Sequence, residues 1–177
     1  GSLLDGWDIG MGVNFAALYA YYLASPMNWL IMLCPKSLVI EFMTYMIVFK
    51  IGLSGLTFAW YLKKHCKTDS IGIGFFGIFY ALSGYMAAYS WNIMWMDSIA
   101  LLPLIILGVE RLVKENKPML YYISLATSIL CNYYISVMIC MFLCLYFVIL
   151  FFEQKKGKIK AVLNFAWYSL LAGGTGA

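Results

Sequence analysis

Charged residues are scarce in this sequence of 177 residues, and Asp, Glu, Lys and Arg together make up only 11% of it. A soluble domain carries about 25% charged and about 45–50% apolar residues. This chain is 64% apolar, with a mean hydropathy of +0.85. The composition argues against a water-soluble fold and predicts an all-α polytopic membrane protein. The net charge of +4 is better explained by loop charges that fix topology than by nucleic-acid binding.

Common catalytic and metal-binding motifs are also missing. The sequence has one histidine, five cysteines without a CxxC pair, and no P-loop, Ser/His/Asp arrangement or N-x-Ser/Thr sequon. We therefore interpret the cysteines as small apolar residues; no metal site is indicated and no cofactor is identified. Gly72–Gly77 matches GxGxxG, but a charged loop precedes it where a dinucleotide site needs a strand. Close helix packing through small residues explains these glycines better.

Long apolar runs are what the sequence has in abundance. A membrane-spanning helix needs about 17–25 mostly apolar residues, and shorter helices are stable inside a bundle. The predicted spans are Leu38–Leu62, Ile71–Tyr89, Ser98–Leu112, Met119–Cys131, Ile135–Phe152 and Ala161 to the end of the chain. The sequence thus predicts a helix bundle of about five to six spans.

Basic residues occur in alternate loops between these spans. The basic loops carry Lys63, Lys64, Lys67, Arg111, Lys114, Lys117, Lys155, Lys156, Lys158 and Lys160. The intervening loops, Met86–Asp97 and Asn132–Tyr134, contain no Lys or Arg. The positive-inside rule therefore predicts that the basic loops are cytoplasmic and that the other two loops are external.

The first 37 residues are predicted to form an external loop, ahead of a bundle that comprises residues 38–177. Ser25-Pro26 interrupts the apolar stretch Phe15–Cys34, because proline removes a helix donor and disfavours a helical residue before it. We expect two short juxtamembrane helices there, Phe15–Ala24 and Met27–Cys34. The chain has no initiator Met and stops within an apolar run, so we expect it to be a piece of a longer protein at both ends.

Lys50 is the one charge near the middle of a predicted span. Ser54, Thr57 and Tyr61 follow it at helical spacing, which predicts a polar stripe on one face. A cation at this depth indicates a functional group, such as a binder of phosphate. The alternative is a structural pair between Lys50 and a carbonyl or an acid inside the bundle.

The external loops combine aromatic residues with one acid. An acid set among aromatic and amide side chains is typical of a carbohydrate site, in which rings stack on sugars and polar groups orient hydroxyls. An interfacial aromatic belt with Asp97 as a helix N-cap predicts the same composition. The candidate residues for substrate are Trp91, Asn92, Trp95, Asn132, Tyr133 and Tyr134, with Asp97 as the acid.

Several ordered motifs resemble the bacterial YfhO membrane-protein family. They are Asn14-Phe-Ala-Ala-Leu-Tyr-Ala-Tyr-Tyr-Leu-Ala-Ser-Pro-Met-Asn28, Lys50-Ile-Gly-Leu, Tyr80-Ala-Leu-Ser-Gly-Tyr85, Trp91-Asn-Ile-Met-Trp-Met-Asp97, Leu102-Pro-Leu104 and Asn132-Tyr-Tyr134. The resemblance implies a GT-C-type glycosyltransferase fold in the bacterial cell membrane. It also implies transfer of a sugar from a polyprenyl-phosphate carrier to an extracytoplasmic envelope polymer similar to lipoteichoic acid.

The resemblance also implies where the catalytic groups lie. Such proteins normally begin with one more transmembrane helix and an external loop with an acidic motif, and both would precede Gly1. We therefore assign Asp97 an accessory catalytic role and expect Lys50 to bind the phosphate and balance its charge. The aromatic and amide residues of the two loops are expected to contact the sugar or the lipid head.

Two other classes of function remain open. One is a transporter or flippase of lipid-linked envelope precursors, and the other is a non-catalytic membrane assembly partner. Broken helices at the midplane are the usual sign of a transporter. The only clear helix break in the sequence, Ser25-Pro26, lies outside the predicted spans, which favours the enzyme.

Overall fold

The computed structural model describes residues 5–6, 13–14, 25–154 and 157–176. Within them the chain forms a bundle of seven α-helices: α1 (Val39–Cys66), α2 (Gly72–Ala81), α3 (Gly84–Tyr89), α4 (Ile93–Glu115), α5 (Met119–Cys131), α6 (Tyr133–Glu153) and α7 (Lys158–Gly176). The predicted all-α polytopic class is confirmed. Four stretches are long and apolar enough to cross a membrane: Lys36–Cys66, Gly72–Tyr89, Ile93–Glu115 and Tyr133–Glu153.

Four of the six predicted spans correspond to these four stretches, and the last, from Ala161 onward, falls on α7, which is not among them. Met119–Cys131 has the predicted bounds and is a shorter apolar helix. The predicted Ser98–Leu112 is longer in the structure, because helix α4 continues to both sides and reaches 23 residues with Pro103 inside it. Large apolar side chains such as Phe75, Phe79 and Leu145 are exposed. Exposed apolar side chains on helices of this length are typical of contact with lipid.

The region before α1 is only partly described. Asp5–Gly6 pairs antiparallel with Val13–Asn14, while the predicted helix Phe15–Ala24 lies outside the described residues. The predicted helix Met27–Cys34 contains a 3-10 helix, Asn28–Leu33, that follows a turn at residues 26–27. The division between an external loop and the bundle at residue 37 stays a prediction.

A helix break lies inside one of the candidate spans. Gly72–Tyr89 is interrupted, because α2 ends at Ala81 and α3 begins at Gly84. Between them Ser83 has an extended backbone, with φ −61° and ψ 154°. The expectation that Ser25-Pro26 is the only clear helix break was therefore wrong.

Helix α4 is the centre of the bundle and packs against α1, α5, α6 and α7. Its apolar side chains form the core with those of α5, α6 and α7; the most deeply buried include Ile105, Val109, Leu112, Leu125 and Leu143. The backbones of α4 and α5 approach closely at Gly108, where an added Cβ would lie 2.6 Å from the Tyr121 Cα. Only glycine leaves room for this contact.

Small residues also join α1 to α2. A Cβ added to Gly55 would lie 2.9 Å from the Gly77 carbonyl oxygen, and one added to Gly77 would lie 2.8 Å from the Gly55 carbonyl oxygen. The glycine of the GxGxxG match that packs is therefore Gly77, whereas Gly74 faces open space. Close helix packing, rather than a nucleotide, explains Gly77 as predicted.

Contacts between helices define two ends of the bundle. The Gln154 Nε2 donates to the Val113 carbonyl, Asn164 bonds to Asn116, and His65 Nδ1 lies 2.8 Å from Glu110 Oε1. The described helix ends that border the three basic loops therefore lie together at one end, which we call the basic end. The Ser98 hydroxyl donates to the Ser128 carbonyl. The beginning of α4 and the end of α5 therefore meet at the other end, which we call the aromatic end.

Candidate functional site

The predicted polar stripe of α1 is buried against α4. Lys50 and Ser54 are 0% exposed and Thr57 is 7% exposed, as expected when one helical face of polar residues packs inside a bundle. Ser54 and Thr57 donate to carbonyls of their own helix. A hydroxyl can satisfy itself in this way, but a lysine cannot, because an ammonium has only donors.

Lys50 finds its acceptors on other elements. Its Nζ donates to Asp97 Oδ2 at 2.8 Å, to Asn28 Oδ1 at 2.9 Å and to the Ile93 carbonyl at 3.0 Å. An ammonium has three N–H donors, so the protein itself occupies all of them. A charge that cannot reach water is expected to be paired in this way. The structural pair with an acid and a carbonyl is thus present in the described residues.

Asp97 does not lie at the N-cap of α4, where the aromatic-belt interpretation placed it. It lies in the second turn of α4, and the residue that precedes the helix is Asn92, whose side chain makes no capping bond. The interpretation of Asp97 as an N-cap is therefore wrong. Its side chain is 4% exposed and binds Lys50, which joins the predicted acid to the predicted cation.

Several buried polar atoms around this pair are unsatisfied. Within the described part of the chain, the buried atoms without a hydrogen-bond partner include Asp97 Oδ1, Asn92 Nδ2, Trp95 Nε1 and Asn132 Nδ2. Asn132 uses its other side-chain atom, Oδ1, to cap α6 by accepting from the Ile135 N–H at 3.0 Å. Buried polar groups in proteins almost always have partners, so these atoms are available for hydrogen bonds to water or to a polar ligand.

Aromatic rings connect the two predicted external loops. Ring centroids lie 5.0 Å apart for Tyr85 and Tyr89, 5.9 Å for Tyr89 and Trp95, and 6.2 Å for Trp95 and Tyr134. These four residues form what we call the aromatic row. The structure thus brings Trp95 and Tyr134 together across the two loops. Tyr133 is half-exposed at the start of α6, beside Tyr134 in the chain.

A pocket of about 420 Å³ lies beside the ion pair. Its polar lining includes Asn28 and Asn92, and its apolar lining includes methionines of α1 and α4. Two lining residues, Asn28 and Ile93, are also acceptors of the Lys50 ammonium. Trp91 lines the same pocket; it is 72% exposed, and its indole N–H donates to the Ala88 carbonyl. The pocket therefore combines an apolar wall, an exposed indole and two amides. One of these amides, Asn28, separates the pocket from the buried Lys50 ammonium.

The sequence analysis missed a second buried charge. Glu110 is 5% exposed and lies near the basic end of α4. It accepts from Tyr146 at 2.6 Å and Tyr61 at 3.2 Å, and His65 Nδ1 lies 2.8 Å from its Oε1. The signal was present, because Glu110 lies within the predicted span that ends at Leu112. An acid inside a span marks a polar partner as clearly as Lys50 does.

The described residues contain no group of three or more His, Cys, Asp or Glu side chains that could hold a metal. All five cysteines are unpaired thiols. The protein groups of the aromatic end offer charge, hydrogen bonding and ring stacking. An ammonium can balance an anion, a carboxylate can accept a proton or hold that ammonium, and the rings can stack on a sugar.

Comparison with known proteins identifies the family. Neither a curated protein nor a solved structure gave a significant match to the chain. The family described as "Bacterial membrane protein YfhO" matches residues 1–177, the whole of the chain. This match agrees with the sequence motifs that contain Lys50, Asp97 and Asn132, which the structure places at or near the aromatic end. The chain therefore belongs to the YfhO family of bacterial membrane proteins.

Proposed function

We propose that this chain is part of a membrane glycosyltransferase that moves a sugar from a polyprenyl-phosphate carrier to an envelope polymer outside the membrane. The observation that carries the proposal is the aromatic end. There a buried Lys50–Asp97 pair lies beside a pocket of about 420 Å³ and among orphaned polar atoms. Cation, carboxylate and aromatic rings are the groups that transfer from a lipid phosphate to a hydroxyl requires.

In the proposed reaction the oxygen of an acceptor hydroxyl attacks the anomeric carbon of the sugar. The bond from that carbon to the phosphate oxygen breaks, a carboxylate takes the hydroxyl proton, and the polyprenyl phosphate leaves with the bonding electrons. Asp97 Oδ2 is committed to Lys50, so Asp97 serves as an accessory group that positions the ammonium. The main base is then a carboxylate elsewhere in the protein.

Lys50 is proposed to bind the phosphate of the carrier. Asn28 lies between the pocket and the ammonium, because its Oδ1 accepts from Lys50 and the residue lines the pocket. A phosphate oxygen that replaces the neutral Asn28 amide gives the ammonium an anionic partner, so the bond gains the attraction between opposite charges. The ammonium then stabilises the charge that develops on the leaving phosphate.

The sugar is proposed to bind between the exposed ring of Trp91 and the aromatic row, with the amides of Asn92 and Asn132 toward its hydroxyls. Tyr133 and Tyr134 lie near the same end and would contact the sugar or the lipid head. The aromatic end then faces the outside of the cell, and the basic end faces the cytoplasm, as the distribution of Lys and Arg predicts.

Trp95→Phe tests this proposal without disturbing the ion pair. The substitution keeps a ring beside Tyr134, whose centroid lies 6.2 Å away, and removes an indole N–H that has no partner among the described residues. Because the lost donor has no partner to leave unpaired, the cost to the fold is limited to the weaker packing of the smaller ring against the core. If the N–H serves a sugar hydroxyl, however, transfer falls by about 10- to 100-fold.

The readout is the sugar content of the envelope polymer in cells that carry the native protein or the variant. Trp167→Phe is the matched control, because Trp167 is an exposed residue of α7, and it should leave the sugar content unchanged. Normal sugar content in cells with Trp95→Phe would show that the Trp95 N–H does not take part in sugar binding. Loss of sugar together with loss of folded protein would show that its role is structural.

A transporter or flippase is a second candidate, and one observation favours it. The break between α2 and α3 interrupts a candidate span at residues 82–83, and interrupted helices are a common feature of transporter sites. In that case Lys50 is a counter-charge for the lipid phosphate and no sugar bond is broken. The two candidates differ in whether a new glycosidic bond appears on the acceptor.

A further inference from the structure

A second pocket, at the basic end, is separate from the site above. It has a volume of about 320 Å³, and its lining includes Lys64, His65, Lys67, Glu110, Arg111 and Lys114. Two separate segments contribute these side chains, one at the end of α1 and one at the end of α4. From this pocket we infer that the basic end binds a phosphate-bearing anion, in a site that does not depend on the proposed sugar transfer.

The pairing of the basic residues is the first argument. Lys63 forms an ion pair with Asp69, and Lys117 pairs with Glu115 at 3.0 Å. Both of these lysines lie outside the lining of the pocket. The cations that line it form no ion pair within the described residues; they are Lys64, Lys67, Arg111 and Lys114.

The acid at the floor of the pocket is the second argument. The Glu110 carboxylate accepts from the hydroxyls of Tyr61 and Tyr146, and its Oε1 lies 2.8 Å from His65 Nδ1. Its lone pairs are therefore directed at groups of the protein. The other lining acid, Glu115, is engaged by Lys117. The four lining cations outnumber the two lining carboxylates, Glu110 and Glu115, which leaves a positive potential inside the pocket.

Membrane topology and helix dipoles do not account for this arrangement. The positive-inside rule depends on how many Lys and Arg a loop has, and cations near a helix C-terminus complement its dipole. Neither effect requires unpaired cations from two loops to converge on one pocket while their neighbours outside it are paired. A guanidinium and several ammonium groups in one cavity are the groups that proteins use for phosphate.

The phosphate can belong to an anionic phospholipid head group or to a soluble phosphorylated compound, and two probes separate these sources. The first is phosphatidylglycerol, whose retention by the purified protein is measured by native mass spectrometry against phosphatidylcholine. The second is inorganic pyrophosphate, whose affinity is measured by calorimetry in phosphatidylcholine nanodiscs. Either probe bound at the pocket supports the inference.

Arg111→Gln/Lys114→Gln should weaken binding of the retained probe by at least about tenfold, because two charge-assisted bonds to the phosphate are lost. The matched control is Lys63→Gln/Lys160→Gln, which removes two exposed charges at the basic end but outside the pocket and leaves the Lys117–Glu115 pair intact. It should change the affinity by less than about threefold, since exposed charges are screened.

A third variant, Lys64→Gln/Lys67→Gln, removes two exposed charges from the other loop that lines the pocket. It provides an independent test if the Arg111 variant misfolds. It should reproduce the loss, and its failure to do so would overturn a pocket shared by two loops. Equal losses in the pocket variants and the control would show diffuse attraction and no site. Binding of neither probe above phosphatidylcholine would overturn the inference altogether.

Discussion

Removal of the Lys50 charge should destabilise the protein strongly, because the ion pair is closed to water. The side chains of Lys50 and Asp97 are 0% and 4% exposed, and their charged atoms lie 2.8 Å apart. In Lys50→Met the Asp97 carboxylate loses its cation while its other oxygen already has no partner in the described structure. A buried charge left unpaired typically costs about 3–5 kcal/mol. Unfolding of the purified protein by SDS in detergent micelles, followed by tryptophan fluorescence, measures this loss.

The double variant Lys50→Met/Asp97→Leu tests whether the loss in Lys50→Met comes from the unpaired Asp97 charge. Apolar residues in place of both charges often leave stability unchanged or higher, so we expect recovery to within about 1–2 kcal/mol of the native protein. Lys63→Met is the exposed control, because Lys63 pairs with Asp69 at the surface and its loss should cost about 0–1 kcal/mol. If the double variant lost the sum of the two single losses, roughly 6–10 kcal/mol, Lys50 and Asp97 would not be coupled.

Three further predictions concern packing, capping and topology. Gly77→Leu should lower the thermal stability of the detergent-solubilised protein, because its Cβ would meet a carbonyl oxygen at 2.8 Å, whereas Gly74→Leu faces open space and should not. Asn132→Ala should lower the unfolding free energy by about 1 kcal/mol through loss of the α6 cap, and unchanged stability would contradict the cap. In a cysteine-free background in intact cells, a cysteine that replaces Trp91 should react with an impermeant maleimide, and one that replaces Lys114 should not. Labelling at position 114 would contradict the predicted orientation in the membrane.

Periodic and compositional features of the fold were predictable from the sequence. The bounds of Met119–Cys131 were predicted at both ends, because Pro118 and a polar asparagine border a short apolar run. The polar face of α1 was predictable too, since Lys50, Ser54 and Thr57 recur at helical spacing. These features depend on residues close together in the chain, where spacing determines the face on which a side chain lies.

Features that depend on distant residues were not predictable. The partner of Lys50 lies 47 residues away, and nothing in a single sequence pairs those positions, so the two side chains were assigned separate roles. Glu110 was overlooked although it lies within a predicted span, because its neighbour Arg111 suggested a loop. The break at Ser83 was missed since no proline or charged residue marks it, and the extended backbone at that position is a property of the folded chain.

Transfer of labelled sugar in proteoliposomes tests the proposed function most directly. The protein as it occurs in cells is reconstituted with a polyprenyl-phosphate-linked radioactive sugar and an envelope-polymer acceptor, and label on the acceptor is counted. We predict label on the acceptor with the native protein and with Trp167→Phe, and about 10- to 100-fold less with Trp95→Phe. Movement of the labelled lipid across the bilayer without any label on the acceptor would contradict the glycosyltransferase and establish a transporter.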